Sequence, residues 1–126
     1  MIDQFISSAF AEDIPTTDIT TESLGVQEKF GLAKLIAKED LVLSGSDVFT
    51  QCLEYIDPQL KIHWHFKDKD TILTGQILAQ IQGNLISLIQ AERVALNFLG
   101  YLSGIATQTQ LFVQRCEGTK TRILDT

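Results

Sequence analysis

Few side chains in this 126-residue chain combine the types and spacing that chemistry requires. His63 and His65 stand two apart in an alternating stretch, so both imidazoles face one side of a strand, as in the beginnings of a metal site. No third ligand of suitable type follows at a suggestive spacing, and the expectation is two solvated rings on a polar sheet face. Cys52 falls on an apolar helix face and Cys116 near a helix end; both read as packing or bystander thiols. Asp13, Asp18 and Asp40 belong to loops, where capping backbone N–H groups is the commoner task. Neither a P-loop nor a GxGxxG turn is present. That leaves Arg93 and Asn97, four apart and therefore on one face of a long helix. A guanidinium fork suits a carboxylate in bidentate geometry, and an amide adds a neutral donor beside it.

The elements that must position these groups follow from hydrophobic periodicity. Ile2, Phe5, Ile6, Ala9 and Phe10 repeat at helical spacing. Asp13 to Glu22, rich in Thr and Asp with Pro15, reads as a structured loop. Phe30 to Ala37 is a predicted strand, and Leu41 to Leu43 runs into a Ser44-Gly45-Ser46 turn. Val48, Phe49, Cys52, Leu53 and Ile56 share a helix face that Asp57-Pro58 stops. Leu60, Ile62, Trp64 and Phe66 alternate with Lys61, His63, His65 and Lys67, the pattern of a half-buried strand. Thr71–Leu73 and Gln76–Ile81 are two more short strands, punctuated by Gly75 and Gly83. Leu85 to Leu99 predicts a helix ending at Gly100. A further one, Tyr101 to Cys116, carries Leu102, Ile105, Thr109, Phe112 and Val113 on one side. Gly118 stops it, and Ile123-Leu124 reads as the start of a strand with no partner, as in a truncated protein. The pattern is α+β: a short, mostly antiparallel sheet with helices.

Composition narrows the function classes. At this mass the folded surface is about 6,700 Å² against about 20,000 Å² for the extended chain, enough burial for a real core. A net charge of −6 argues against a general nucleic-acid or anionic-membrane binder. No apolar run reaches membrane-spanning length, the opening residues lack a leader pattern, and two cysteines make no disulfide framework. A cytoplasmic domain is the expectation.

One run is specific. Ala91-Glu92-Arg93-Val94-Ala95-Leu96-Asn97-Phe98-Leu99, followed by Leu102-Ser103-Gly104-Ile105-Ala106-Thr107, resembles the central signature of the quinolinate phosphoribosyltransferases. Asp18-Ile19-Thr20-Thr21 resembles that family's Gly-Asp-Ile-Thr-Thr loop, with Thr17 in place of the glycine. Gly75 to Gly83 resembles its short strand pair, and Gly118 to Thr126 the entry to its barrel.

The resemblance implies an N-terminal α+β sandwich over residues 1–117, with the domain boundary between about 100 and 117. Residues 118–126 would be the first strand of an α/β barrel whose remainder is missing. It implies a pentosyltransferase of NAD biosynthesis, working as a homodimer or higher oligomer. Such an enzyme converts quinolinate and phosphoribosyl pyrophosphate, with Mg²⁺, into nicotinate mononucleotide, pyrophosphate and CO₂. Arg93 would reach the neighbouring subunit's site and bind quinolinate, and Thr126 would open the barrel's substrate-binding motif. Catalytic residues and Mg²⁺ ligands would lie beyond this chain, leaving it inactive alone. Two alternatives stand beside this reading. One is a paralogue, of the kind found in molybdate-transport operons or acting on nicotinate. The other is a hammerhead carrier module with Lys67 or Lys69 at its turn.

Overall fold

Residues 2–12 form helix α1, in which Ile6 and Phe10 are buried while Phe5 stays exposed. The computed structural model describes residues 2–12 and 29–124, so the loop expected from Asp13 to Glu22 lies outside it. Strand β1 spans Phe30–Ile36 and β2 spans Leu41–Val42, followed by helix α2, Ser46–Ile56. Strands β3 (Lys61–Trp64), β4 (Thr71–Ile72) and β5 (Ile77–Asn84) lead into helix α3, Leu85–Cys116.

The strands make two antiparallel sheets, one ordered β1-β5-β3 and one pairing β2 with β4. In the larger sheet Leu32 lies opposite Gln82, and Ile62 opposite Ile81. The alternation read from Leu60 to Phe66 survives: Ile62, Trp64 and Phe66 pack on the core, while Lys61, His63 and His65 face out. The pairing also outlasts the regular strand, since His65 N donates to Leu78 O at 2.8 Å. In β1 the outward side carries Phe30, Leu32 and Ile36, all more than half exposed, together with the exposed Lys34.

Helices α1, α2 and α3 bury their apolar stripes in a core shared with the inner sheet face. Phe10 stacks on Tyr55 at 5.1 Å, and Phe49 meets Trp64 edge-on at 5.5 Å. Trp64 Nε1 donates to Thr50 Oγ1, whose own hydroxyl donates to Ser46 O, so this buried edge keeps its polar atoms paired. Gly45 precedes α2 at φ 96°, a conformation glycine adopts freely; a Cβ there would meet Leu102 Cδ1 at 2.7 Å.

One expectation needs correction. Gly100 does not divide α3, which runs unbroken for 32 residues. A helical glycine costs only about 1 kcal/mol, and the buried contacts of Val94, Ala95 and Leu99 hold the helix through it. Towards its end the helix buries Ser103, whereas Ile105, Thr109, Phe112 and Val113 are exposed. Ile123 and Leu124 are paired in neither sheet.

Candidate functional site

The first turn of α3 is anchored by Asn84, whose side-chain oxygen accepts hydrogen bonds from Ile86 N at 2.8 Å and Ser87 N at 3.2 Å. Ser87 Oγ donates to Asp57 Oδ2 at 2.9 Å, tying this turn to the end of α2. Ala91, Val94, Ala95 and Leu99 then pin one side of the helix in the core. Arg93 and Asn97 fall on the other side, both exposed, as their four-residue spacing requires. Asn97 borders an open cleft of about 560 Å³ between α1 and α3, with Glu12, Phe98 and Tyr101 among its walls. A guanidinium and an amide presented outward on a rigid helix can grip a carboxylate approaching from outside the domain. Thr126, the other candidate, lies outside the described residues.

The remaining candidates have structural surroundings. His63 and His65 sit edge to face, 5.0 Å apart, on the exposed side of the sheet. Among the described residues, no group of three or more His, Cys, Asp or Glu side chains could hold a metal ion, and the two rings are imidazoles rather than the oxygen donors Mg²⁺ takes. Cys52 is buried, and desolvation pushes its thiol up to about 11, the opposite of an activated nucleophile. Asp40 Oδ1 accepts from both the amide and the hydroxyl of Thr74 at 2.8 Å, bonds that hold its carboxyl below the usual value. Asp13 and Asp18 lie outside the described residues.

Two features escaped sequence reasoning. Asp68, in the Lys67–Asp70 turn, accepts from Gly45 N and Ser46 N at 3.1 Å and so caps α2 from a distant segment. Desolvation works to raise its carboxyl, but the bonds from Ser46 and Gly45 outweigh it and leave it lowered. That same turn is tied down by Lys69 N donating to Leu43 O, unlike the free hairpin tip a carrier module would offer. The second feature is Ser103, the buried polar residue of α3, whose hydroxyl bonds to Ser44. The signal for both was small: a short polar side chain beside a segment with unpaired backbone groups.

A sequence profile described as "Quinolinate phosphoribosyl transferase, N-terminal domain" matches residues 18–103. The chain belongs to this family. A probable nicotinate-nucleotide pyrophosphorylase (carboxylating) of Synechocystis is 36% identical over 126 residues, all of this chain and 42% of the relative. The Bacillus subtilis protein given the same name is 31% identical over 98% of the chain and 42% of its own length. The fold agrees with the nicotinate-nucleotide pyrophosphorylase structure from Francisella tularensis, at a TM-score of 0.91 and 31% identity. NadC from Streptococcus pyogenes matches at 0.91 and 34%. Each structural match covers 99% of this chain and 45% of the other. The chain therefore spans under half the length of these family members, and its helix-and-antiparallel-sheet architecture is that of their N-terminal domain. No helix among the described residues is long and apolar enough to cross a membrane.

Proposed function

We propose that this chain is the N-terminal, substrate-facing and dimer-forming part of a cytoplasmic enzyme of NAD biosynthesis. That enzyme makes nicotinate mononucleotide, pyrophosphate and CO₂ from quinolinate and phosphoribosyl pyrophosphate. Residues 1–117 form its N-terminal domain and 118–126 lead into the next. The unbroken run of α3 to Cys116 favours that late boundary.

The observation that carries the reading is Arg93, within the family-matched region and exposed on a helix whose opposite side is locked in the core. Quinolinate is a dicarboxylate on a planar ring. Arg93 offers it a planar fork in an active site completed by a neighbouring subunit, and Asn97 supplies a neutral donor one turn on. Mg²⁺ bound by the diphosphate would neutralise the leaving group. The task of this chain is capture and orientation of quinolinate. Thr126 begins the segment contacting substrate in the following domain. Sequence patterns favouring a carrier module are outweighed by the family match, and the paralogous activities differ in substrate rather than in fold.

The test is turnover by the full-length protein. It should form nicotinate mononucleotide from quinolinate and phosphoribosyl pyrophosphate with Mg²⁺, whereas the 126-residue chain should form none. Arg93→Ala should weaken quinolinate capture by about 2–5 kcal/mol, the cost of removing one partner of a desolvated charge pair. Preference for nicotinate over quinolinate by the full-length protein, or an effect of Arg93→Ala within about 0.5 kcal/mol, would overturn the proposal.

A further inference from the structure

The short strand β2 has one edge paired with β4 and one edge without a strand. Leu43 N turns inward to Asp70 O at 3.0 Å, so alternation sends the amides of Val42 and Ser44 outward. Helix α3 crosses that outer edge and supplies what a strand would have supplied. Thr107 Oγ1 accepts from Val42 N at 3.0 Å, and Ser103 Oγ accepts from Ser44 N at 3.1 Å. Each hydroxyl also donates: Ser103 Oγ to Ser44 O at 3.0 Å, and Thr107 Oγ1 to Ser103 O at 2.7 Å. Both hydroxyls thus have one donated and one accepted bond, and the spacing of four residues lets them read amides two apart on the strand.

The position of this latch gives it a consequence beyond local packing. Ser103 is 4% exposed and is the last buried residue of α3; everything after it on the helix is half-buried or exposed. Upstream of Arg93 the directional bonds are those of the first turn, Leu85 N to Lys29 O at 2.8 Å and Ser87 Oγ to Asp57 Oδ2 at 2.9 Å, while Ala91, Val94, Ala95 and Leu99 fill the core by apolar packing. Downstream of Arg93, Ser103 and Thr107 supply the directional bonds to fixed amides, so the helix segment carrying Arg93 is held at both ends. Arg93 lies ten residues, about 15 Å, upstream of Ser103 on the same rigid helix. Ten residues also rotate about 80° short of three full turns, so Arg93 faces a different side from Ser103. A slip of one residue would swing Arg93 by about 100°, out of any bidentate geometry.

We propose that Ser103 and Thr107 are positioning residues, whose hydroxyls set the roll and axial register of α3 against β2 and thereby aim Arg93 at the substrate carboxylate. This rests on the role given to Arg93 under Proposed function. If correct aim is held only part of the time, apparent affinity falls by that fraction while the chemistry of the bound complex is unchanged.

The experiment uses the full-length enzyme carrying Thr107→Val, which keeps shape and loses the hydroxyl, and Thr107→Ser, which keeps the hydroxyl. Ser103→Ala is the second hydroxyl deletion. Amide hydrogen exchange at Val42 and Ser44 is measured alongside steady-state kinetics. Thr107→Val should speed exchange at Val42 and raise the quinolinate KM about fivefold, the ratio that corresponds to correct aim held about one-fifth of the time. Its kcat and its KM for phosphoribosyl pyrophosphate should stay within about twofold. Thr107→Ser should restore the quinolinate KM and the slow exchange, and Ser103→Ala should repeat the KM effect with faster exchange at Ser44. Unchanged exchange in both deletions would overturn the latch. Faster exchange with an unaltered quinolinate KM, or a loss of kcat alone, would leave the latch as merely structural and overturn the positioning role. A wild-type enzyme that ignores quinolinate would sink the functional reading itself, a result separable from the others because it appears before any substitution is made.

Discussion

Asn84→Ala removes the side chain that caps the helix carrying Arg93. The native oxygen satisfies two of the orphan amides of α3, at Ile86 and Ser87, from an extended backbone at φ −68° and ψ 125°. No acidic residue occupies the first turn, so no neighbouring charge on the helix compensates its dipole. Alanine in place of such a cap costs about 1 kcal/mol, within a range of about 0.5–2. For a chain of this size that is a fall in melting temperature of about 4 °C. Asn84→Asp keeps the acceptor and adds negative charge at the positive end of the helix, worth about 0.3–1 kcal/mol at neutral pH. The assay is urea unfolding at pH 7 with both variants beside wild type. Asn84→Ala should move the midpoint down, and Asn84→Asp should hold it or raise it. Equal losses from both would show that the side chain acts through packing rather than as an acceptor, and no loss from Asn84→Ala would refute the cap.

Two further outcomes follow from the same geometry. A thiol reagent should modify half-buried Cys116 in the native protein while Cys52, buried and with its thiol pushed up to about 11, reacts only on unfolding; mass spectrometry after brief labelling reads the order. Asp68 is lowered in the fold, so its stabilising bonds to Gly45 and Ser46 persist above the ordinary value of 3.8 and fade as pH falls through and below it. Asp68→Asn should therefore be less stable at pH 7 and lose less on acidification, seen as a flatter acid limb in urea midpoints; an identical acid limb would contradict the assignment.

Much of the architecture was legible where one face is buried and one wet. Strand β3 and helix α2 follow from the spacing of Ile62 and Trp64, and of Phe49, Cys52 and Leu53, because burial enforces those periods. Gly100 misled for a physical reason: a glycine with open space around it weakens a helix without ending one when flanking turns are packed. At the site, helical spacing alone put Arg93 and Asn97 on a common face. The roles of Ser103, Thr107 and Asp68 were not legible, since each answers a backbone amide 22 to 65 residues away that only the folded chain brings near. Short hydroxyl and carboxylate side chains read the same in sequence whether they face water or a strand edge.

The most direct test concerns which subunit Arg93 serves. Full-length Arg93→Ala chains are mixed with full-length chains inactivated by a lesion in the following domain, and mixed dimers are verified by mass. If Arg93 completes the neighbour's site, one site in each mixed dimer carries both lesions and the other carries neither. At a quinolinate concentration where the Arg93→Ala parent is barely occupied and the other parent is inactive, turnover should then return in part. Mixed dimers that form and recover no activity would contradict the intersubunit role.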